Sequence, residues 1–159
     1  MATTSGRILW WSDPLLGEFV WIEGDGWNGT CEFNGRIVRL QLSTDYTDPT
    51  REQQVSVFEP SRPILDRLRE VEPEFRRVAA KQLAAAVVSQ QTRGPQRVAL
   101  PQRRFAEGLE LQAVSIHGCG ELHYSSSEFF PGWIVTIFFF PDVSFADAEV
   151  CEPRKPAPS

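Results

Sequence analysis

The segment from Trp27 to Leu42 constrains the fold most, because its pattern is that of a β-hairpin in one register. Two runs in which apolar and polar residues alternate flank Asn34-Gly35. Both central residues of a type I′ turn need positive φ, which Asn and Gly adopt at low cost. A two-residue turn places Trp27 opposite Leu42 and leaves one face apolar and the other mostly polar. The segment therefore predicts an antiparallel hairpin buried on one side.

A second hairpin is predicted over residues 109–124. A three-residue loop, Gly118 to Gly120, keeps the apolar side chains of both runs together and provides a glycine for the left-handed position of such a loop. This register predicts one apolar face made of Val114, Ile116, Leu122 and Tyr124.

Between the hairpins, apolar residues recur at helical spacing and predict two consecutive helices, 61–71 and 73–90. Pro73 suits the first position of the second helix, where its missing N–H has no partner to lose. Gly94-Pro95 ends the pattern, and Pro101 to Ala106 is compatible with one further helical turn.

Four more segments read as strands. Arg7–Trp11 and Phe19–Ile22 are short apolar runs, and Phe145–Val150 is expected at an edge. Trp133–Phe140 is apolar on both faces apart from one threonine, which is typical of a strand in the interior of a sheet.

These elements predict an α+β fold with an antiparallel sheet of about five to seven strands and two consecutive helices packed on one face. With 159 residues the chain has the length of one domain, expected to span 1–152. The proline-rich end, 153–159, is predicted to be disordered, as is Met1 to Gly6.

Charge and composition exclude several classes. The net charge is −5, divided as −5 over residues 1–60, +5 over 61–108 and −5 over 109–159. An acidic chain disfavours nucleic-acid binding, and no apolar run reaches the length of a membrane helix. The first residues lack a signal-peptide pattern, and the three cysteines form no CxxC pair, so a reduced cytoplasmic protein is expected.

The sequence contains no catalytic or phosphate-loop motif, and neither enzymatic activity nor a cofactor is predicted. One group of side chains could form a metal or catalytic site. In the predicted register His117 lies opposite Glu121, and His123 lies two residues further along on the same face. Two imidazoles and a carboxylate at cross-strand distance are candidate zinc ligands, and Cys119 is a possible fourth. A small metal-binding protein or hydrolase is therefore an alternative function; a polar outer face is the simpler interpretation.

Three stretches resemble a bacterial family catalogued as domain of unknown function 2262. They are Leu16 to Leu42, with Trp27 shortly before an Asn-Gly turn; Glu72 to Leu83; and Val114 to Val150, which contains the string FFPGWI. The chain departs from that family at Pro131 and Trp133, which flank Gly132 where Trp and His are more usual. The resemblance implies no catalytic residues.

Small acidic α+β proteins of this kind are similar to the immunity proteins of bacterial toxin systems. We therefore expect a non-enzymatic protein that neutralises a basic toxin domain by binding it; a regulatory adaptor is a further alternative. Acidic strands and loops beside a basic helical segment favour a basic partner, and an aromatic anchor would be needed for tight binding. The expected contact residues are acidic positions of the strands and loops together with two tryptophans: Glu18, Glu23, Asp25, Asp45, Asp48, Asp142, Asp147, Glu149, Trp10 and Trp11.

Overall fold

The computed structural model describes residues 10–22, 25–43, 51–90, 102–117, 119–126 and 130–151, with the backbone alone at 51–56, 85–90 and 130–131. The ends predicted to be disordered, 1–6 and 153–159, lie outside these ranges, as do the first three residues of the strand predicted at Arg7–Trp11. In chain order the elements are β1 (Trp10–Asp13), β2 (Gly17–Ile22), β3 (Gly26–Phe33), β4 (Arg36–Leu42), α1 (Arg51–Gln90), α2 (Gln102–Gly108), β5 (Glu110–His117), β6 (Cys119–Ser126), β7 (Phe130–Phe139) and β8 (Phe145–Cys151).

The strands form one sheet in which spatial order follows chain order from β1 to β8. Neighbouring strands are antiparallel except β4 and β5, which run parallel. The chain returns from the end of β4 to the start of β5 through α1 and α2, and such a crossover produces a parallel pair. The predicted α+β class is confirmed, whereas the prediction of an antiparallel sheet of five to seven strands is wrong: the sheet is mixed and has eight strands.

The first hairpin has the predicted register. Phe33 pairs with Arg36 and Trp27 with Leu42, and the turn residues Asn34 and Gly35 have φ of 49° and 89°. Local turn chemistry therefore determined the pairing of β3 with β4.

The second hairpin has a different register from the predicted one. His117 pairs with Cys119 rather than with Glu121, and Ile116 pairs with Gly120. Gly120 belongs to the sheet because Phe139 lies against it: a Cβ at Gly120 would be 1.9 Å from the Phe139 ring. The shift moves each partner by two residues, so the predicted apolar face survives.

The helical region also differs from the prediction. One helix, α1, continues through Pro60, Pro63 and Pro73, where two helices separated near residue 72 were expected. The three prolines are exposed, so the carbonyls that they leave without an intrahelical donor face the surface. The carbonyl of Arg69, four residues before Pro73, accepts a hydrogen bond from Asn34 Nδ2 at 3.4 Å.

Side chains of the sheet alternate between the two faces, and one face packs on the helices. Paired residues form a row across all eight strands on this helical side: Trp11, Phe19, Gly29, Leu40, Val114, Leu122, Ile137 and Ala148. Phe58, Leu65 and Leu68 of α1 are fully buried in the same core. As predicted, β7 lies inside the sheet and β8 at its edge. Only one face of β7 packs on the helices, however: Ile137 on that face is 0% exposed, whereas Ile134 on the other face is 46% exposed.

A buried ion pair fixes the β1–β2 hairpin to α1. The Asp13 carboxylate, whose side chain is 1% exposed, accepts hydrogen bonds from Arg62 and from the backbone N–H groups of Leu15 and Leu16 at 3.0 and 2.9 Å. Burial raises the pKa of Asp13. This effect is outweighed by the hydrogen bond from Arg62, by the hydrogen bonds from the Leu16 and Leu15 amides, and by the charge of Arg62, all of which lower the pKa. The pKa of this carboxyl is therefore below its ordinary value of 3.8.

This arrangement predicts a pH-dependent contribution to stability. Because the folded-state pKa of Asp13 is lowered, its stabilisation is present above the unfolded-state pKa near 3.8 and is lost as pH falls through the folded value. We expect Asp13→Asn to lower the free energy of unfolding by about 2 kcal/mol at neutral pH, since hydrogen bonds to a charged group are lost. Urea unfolding of both proteins between neutral pH and about pH 3 measures the difference. A difference that stays constant over this range would contradict the assignment.

Candidate functional site

The sheet face opposite the helices, called here the open face, is the candidate site. Both described helices pack on the other side of the sheet. A row of paired side chains crosses all eight strands on the open face: Trp10, Val20, Asn28, Gln41, Ser115, Glu121, Phe138 and Asp147. At about 4.8 Å per strand spacing, the face is on the order of 30 Å wide.

A cleft of about 590 Å³ occupies the centre of the open face. Ala113 on β5 is paired with Arg39 on one side and with His123 on the other, so a small side chain lies between two long ones. Ile37 and Ile134 also line the cleft and are 72% and 46% exposed. The cleft thus combines apolar walls with a few polar groups, the composition typical of binding sites.

His123 is held in the cleft by two neighbours. Its Nε2 is 3.1 Å from Glu121 Oε2, and its Nδ1 is 3.4 Å from the Thr136 hydroxyl. His117 lies apart, at the end of β5 opposite Cys119. Among the described residues, no three His, Cys, Asp or Glu side chains are arranged to hold a metal ion. The predicted constellation of His117, Glu121 and His123 is therefore reduced to a His–Glu pair.

Acidic side chains dominate the charge of the open face. By alternation along the paired strands, Glu18, Glu32, Glu121 and Glu149 lie on this face. Arg39 is the only lysine or arginine that the described strands place there. The basic residues of the chain lie mostly on the helices, so the charge difference predicted along the sequence becomes a difference between two faces.

The predicted contact residues are distributed unevenly. Glu18 and Glu149 are exposed near opposite edges of the open face, and Asp25 and Asp142 are exposed in turns. The hydroxyl and the backbone N–H of Ser144 donate to Asp142, and these hydrogen bonds lower the pKa of that carboxyl.

Asp147 occupies an open-face position of the edge strand β8, but its carboxylate accepts a hydrogen bond from Gln82 of α1 and is therefore directed round the edge of the sheet towards the helical side. Three further predicted contact residues, Glu23, Asp45 and Asp48, lie outside the described residues.

The two adjacent tryptophans point to opposite faces, as expected for neighbours in a strand. Trp10 is 63% exposed on the open face. Trp11 is half-buried and stacks on Phe58, with ring centroids 6.1 Å apart. Trp10 is therefore the residue of this pair available as an anchor.

Sequence reasoning missed three surface positions: Glu32, Ile37 and Ile134. The first hairpin already paired Glu32 with Ile37 on its mostly polar face. An exposed isoleucine there was a signal that could have been used. Ile134 could not be placed, because its strand is apolar on both sides.

Comparison with known proteins identified no related protein. No family model, no curated protein and no solved structure matches the chain. The resemblance to the domain of unknown function 2262 family remains a prediction. No described helix is both long and apolar enough to cross a membrane.

Proposed function

We propose that the protein is a non-enzymatic binding protein of the immunity type, which neutralises a basic toxin domain by docking it on the open face. The observation that supports this is a broad sheet face on which exposed apolar residues stand among carboxylates. Trp10, Ile37 and Ile134 are more than one third exposed, and Glu18 and Glu149 lie towards the two edges.

The size of the face suits such a partner. A face about 30 Å wide and about 20 Å long has a projected area on the order of 600 Å². A standard interface buries about 800 Å² of accessible surface on each partner. The exposed isoleucines at the central cleft would supply apolar contact, while surrounding carboxylates would attract a basic surface during encounter.

The charge of the open face gives the first test. In E18K/E149K, two exposed carboxylates of this face are reversed, whereas in E70K/E74K the same change is made on the exposed surface of α1. Proteins retained from a lysate of the source organism by the wild-type protein are identified, and a basic one is purified. Its association rate with each variant is then measured by surface plasmon resonance at about 0.05 and about 0.5 M salt.

We expect the wild-type association rate to fall by about tenfold or more as salt rises, because the attraction is screened. E18K/E149K should associate about tenfold more slowly than wild type at low salt, and E70K/E74K should not. A rate that does not depend on salt, or an equal effect of both double variants, would contradict docking on the open face.

A further inference from the structure

A second cavity lies on the helical side of the molecule, away from the open face. It has a volume of about 880 Å³ and is bounded by α1, α2 and the tip of the β3–β4 hairpin. Four arginines line it: Arg69, Arg76, Arg77 and Arg103. We call this cavity the arginine pocket, and we propose that it binds a small anion bearing phosphate groups.

Two of the arginines are fixed by the fold. Arg76 donates to the carbonyls of Ala106 and Leu109 and to the buried carboxylate of Glu72, which joins α1 to α2. Arg69 donates to the Glu32 carbonyl at 2.8 and 3.1 Å and so joins α1 to the hairpin. These contacts fix two guanidinium groups at the wall of the pocket, where Arg76 is paired with Glu72 and Arg69 with Asp66 at 3.1 Å.

The other two arginines are held only by exposed ion pairs. The side chains of Arg77 and Arg103 are 75% and 92% exposed, and they pair with Glu74 and Glu107, one turn away on the same helix. Exposed pairs of this kind contribute little to stability, so exchanging a carboxylate for a ligand oxygen costs little. The guanidinium fork matches phosphate oxygens in a bidentate manner.

The donors of the lining favour an anion. Each of the four arginines is paired with one carboxylate: Arg69 with Asp66, Arg76 with Glu72, Arg77 with Glu74 and Arg103 with Glu107. Only Glu72 and Glu107 line the pocket, and Glu72 is held by Arg76 and by the Tyr124 hydroxyl at 2.9 Å, so an anion that displaces the exposed carboxylates meets more guanidinium groups than carboxylates. The amides of Asn34 and Gln102 add donors at the rim.

The size of the pocket favours a small molecule over a polymer. Its volume lies within the range of about 300–1,000 Å³ that is typical of small-molecule sites. The net charge of −5 of the whole chain opposes binding of an extended polyanion such as a nucleic acid.

The test is isothermal titration of the full-length protein with sodium pyrophosphate, and separately with citrate, at constant ionic strength. We expect saturable binding of one pyrophosphate that is tighter than that of citrate. R77Q/R103Q should weaken it by about tenfold or more, because charge-assisted hydrogen bonds to the ligand are lost. R67Q/K81Q removes the same charge from exposed positions of α1 outside the pocket and should change affinity by less than about twofold.

Absence of saturable pyrophosphate binding would overturn the proposal. So would equal losses in the two double variants, which would indicate attraction to the helical surface in general. Tighter binding of citrate than of pyrophosphate would overturn the assignment to phosphate. The pocket lies on the opposite side of the sheet from the docking surface, so either proposal can fail without the other.

Discussion

Ile137→Asp is expected to unfold the protein or to lower its free energy of unfolding by about 4 kcal/mol or more. Ile137 is 0% exposed and lies in the row that packs on the helices, between Leu122 and Ala148 on the neighbouring strands. No described cation is paired with this position, so the new carboxylate would be buried without a partner or would have to take up a proton. A typical domain has a free energy of unfolding of about 5–15 kcal/mol, so a loss of this size is a large part of the total.

Ile134→Asp is the matched control. It makes the same change three residues earlier in β7, but on the open face, where Ile134 is 46% exposed. Its cost should stay within about 1 kcal/mol, as for a surface substitution. Urea unfolding followed by circular dichroism compares the two variants. Similar stabilities would show that the assignment of the two faces of β7 is wrong.

The second large effect is expected at Glu72, which is 4% exposed at the contact between α1 and β6. One of its oxygens accepts hydrogen bonds from Arg76, at 2.8 and 3.0 Å, and from the Tyr124 hydroxyl. Burial raises the pKa of Tyr124 well above its ordinary value, and the charge and hydrogen bond of Glu72 raise it further, so this hydroxyl remains a donor.

Glu72→Ala should lower the free energy of unfolding by about 3 kcal/mol, because it leaves the guanidinium of Arg76 without its counterion in a largely buried place. Tyr124→Phe removes one hydrogen bond and should cost about 1 kcal/mol. Glu74→Ala, which breaks an exposed pair one turn away, should cost less than about 0.5 kcal/mol. Denaturant unfolding of the three variants tests this order. A cost for Glu72→Ala no larger than that for Glu74→Ala would contradict a structural role for the buried pair.

The sequence was sufficient to predict those features of the fold that local interactions determine. The Asn34-Gly35 turn determined the pairing of β3 with β4 because both residues accept positive φ. The apolar run of β7 indicated its interior position. The separation of polar from apolar faces in both hairpins was also predictable, since it depends only on alternation.

Other features depended on contacts between distant segments. The register of the second hairpin is set by the Phe139 ring against Gly120, a contact that no local pattern shows. The continuity of α1 at Pro73 depends on the exposure of that proline and on Asn34, which lies 35 residues away from the carbonyl it satisfies. The parallel pairing of β4 with β5 depends on how α1 packs on the sheet.

The candidate site was predictable in its charge and not in its shape. The acidic character of the strands could be read from the sequence, and so could the exposure of one of the two adjacent tryptophans, although not which of them it is. The cleft could not, because it arises where Arg39, Ala113 and His123 of three strands become neighbours. The arginine pocket likewise requires α2 to fold back on α1.

The most direct test of the central claim, that the open face is the docking surface, is hydroxyl-radical footprinting of the complex with the captured basic partner. Trp10, Ile37 and Ile134 report on the open face, and Val78, which is 36% exposed on α1, reports on the helical side. Docking on the open face predicts that the first three side chains lose reactivity in the complex while Val78 keeps it. Protection of Val78, with Trp10, Ile37 and Ile134 unchanged, would contradict the claim.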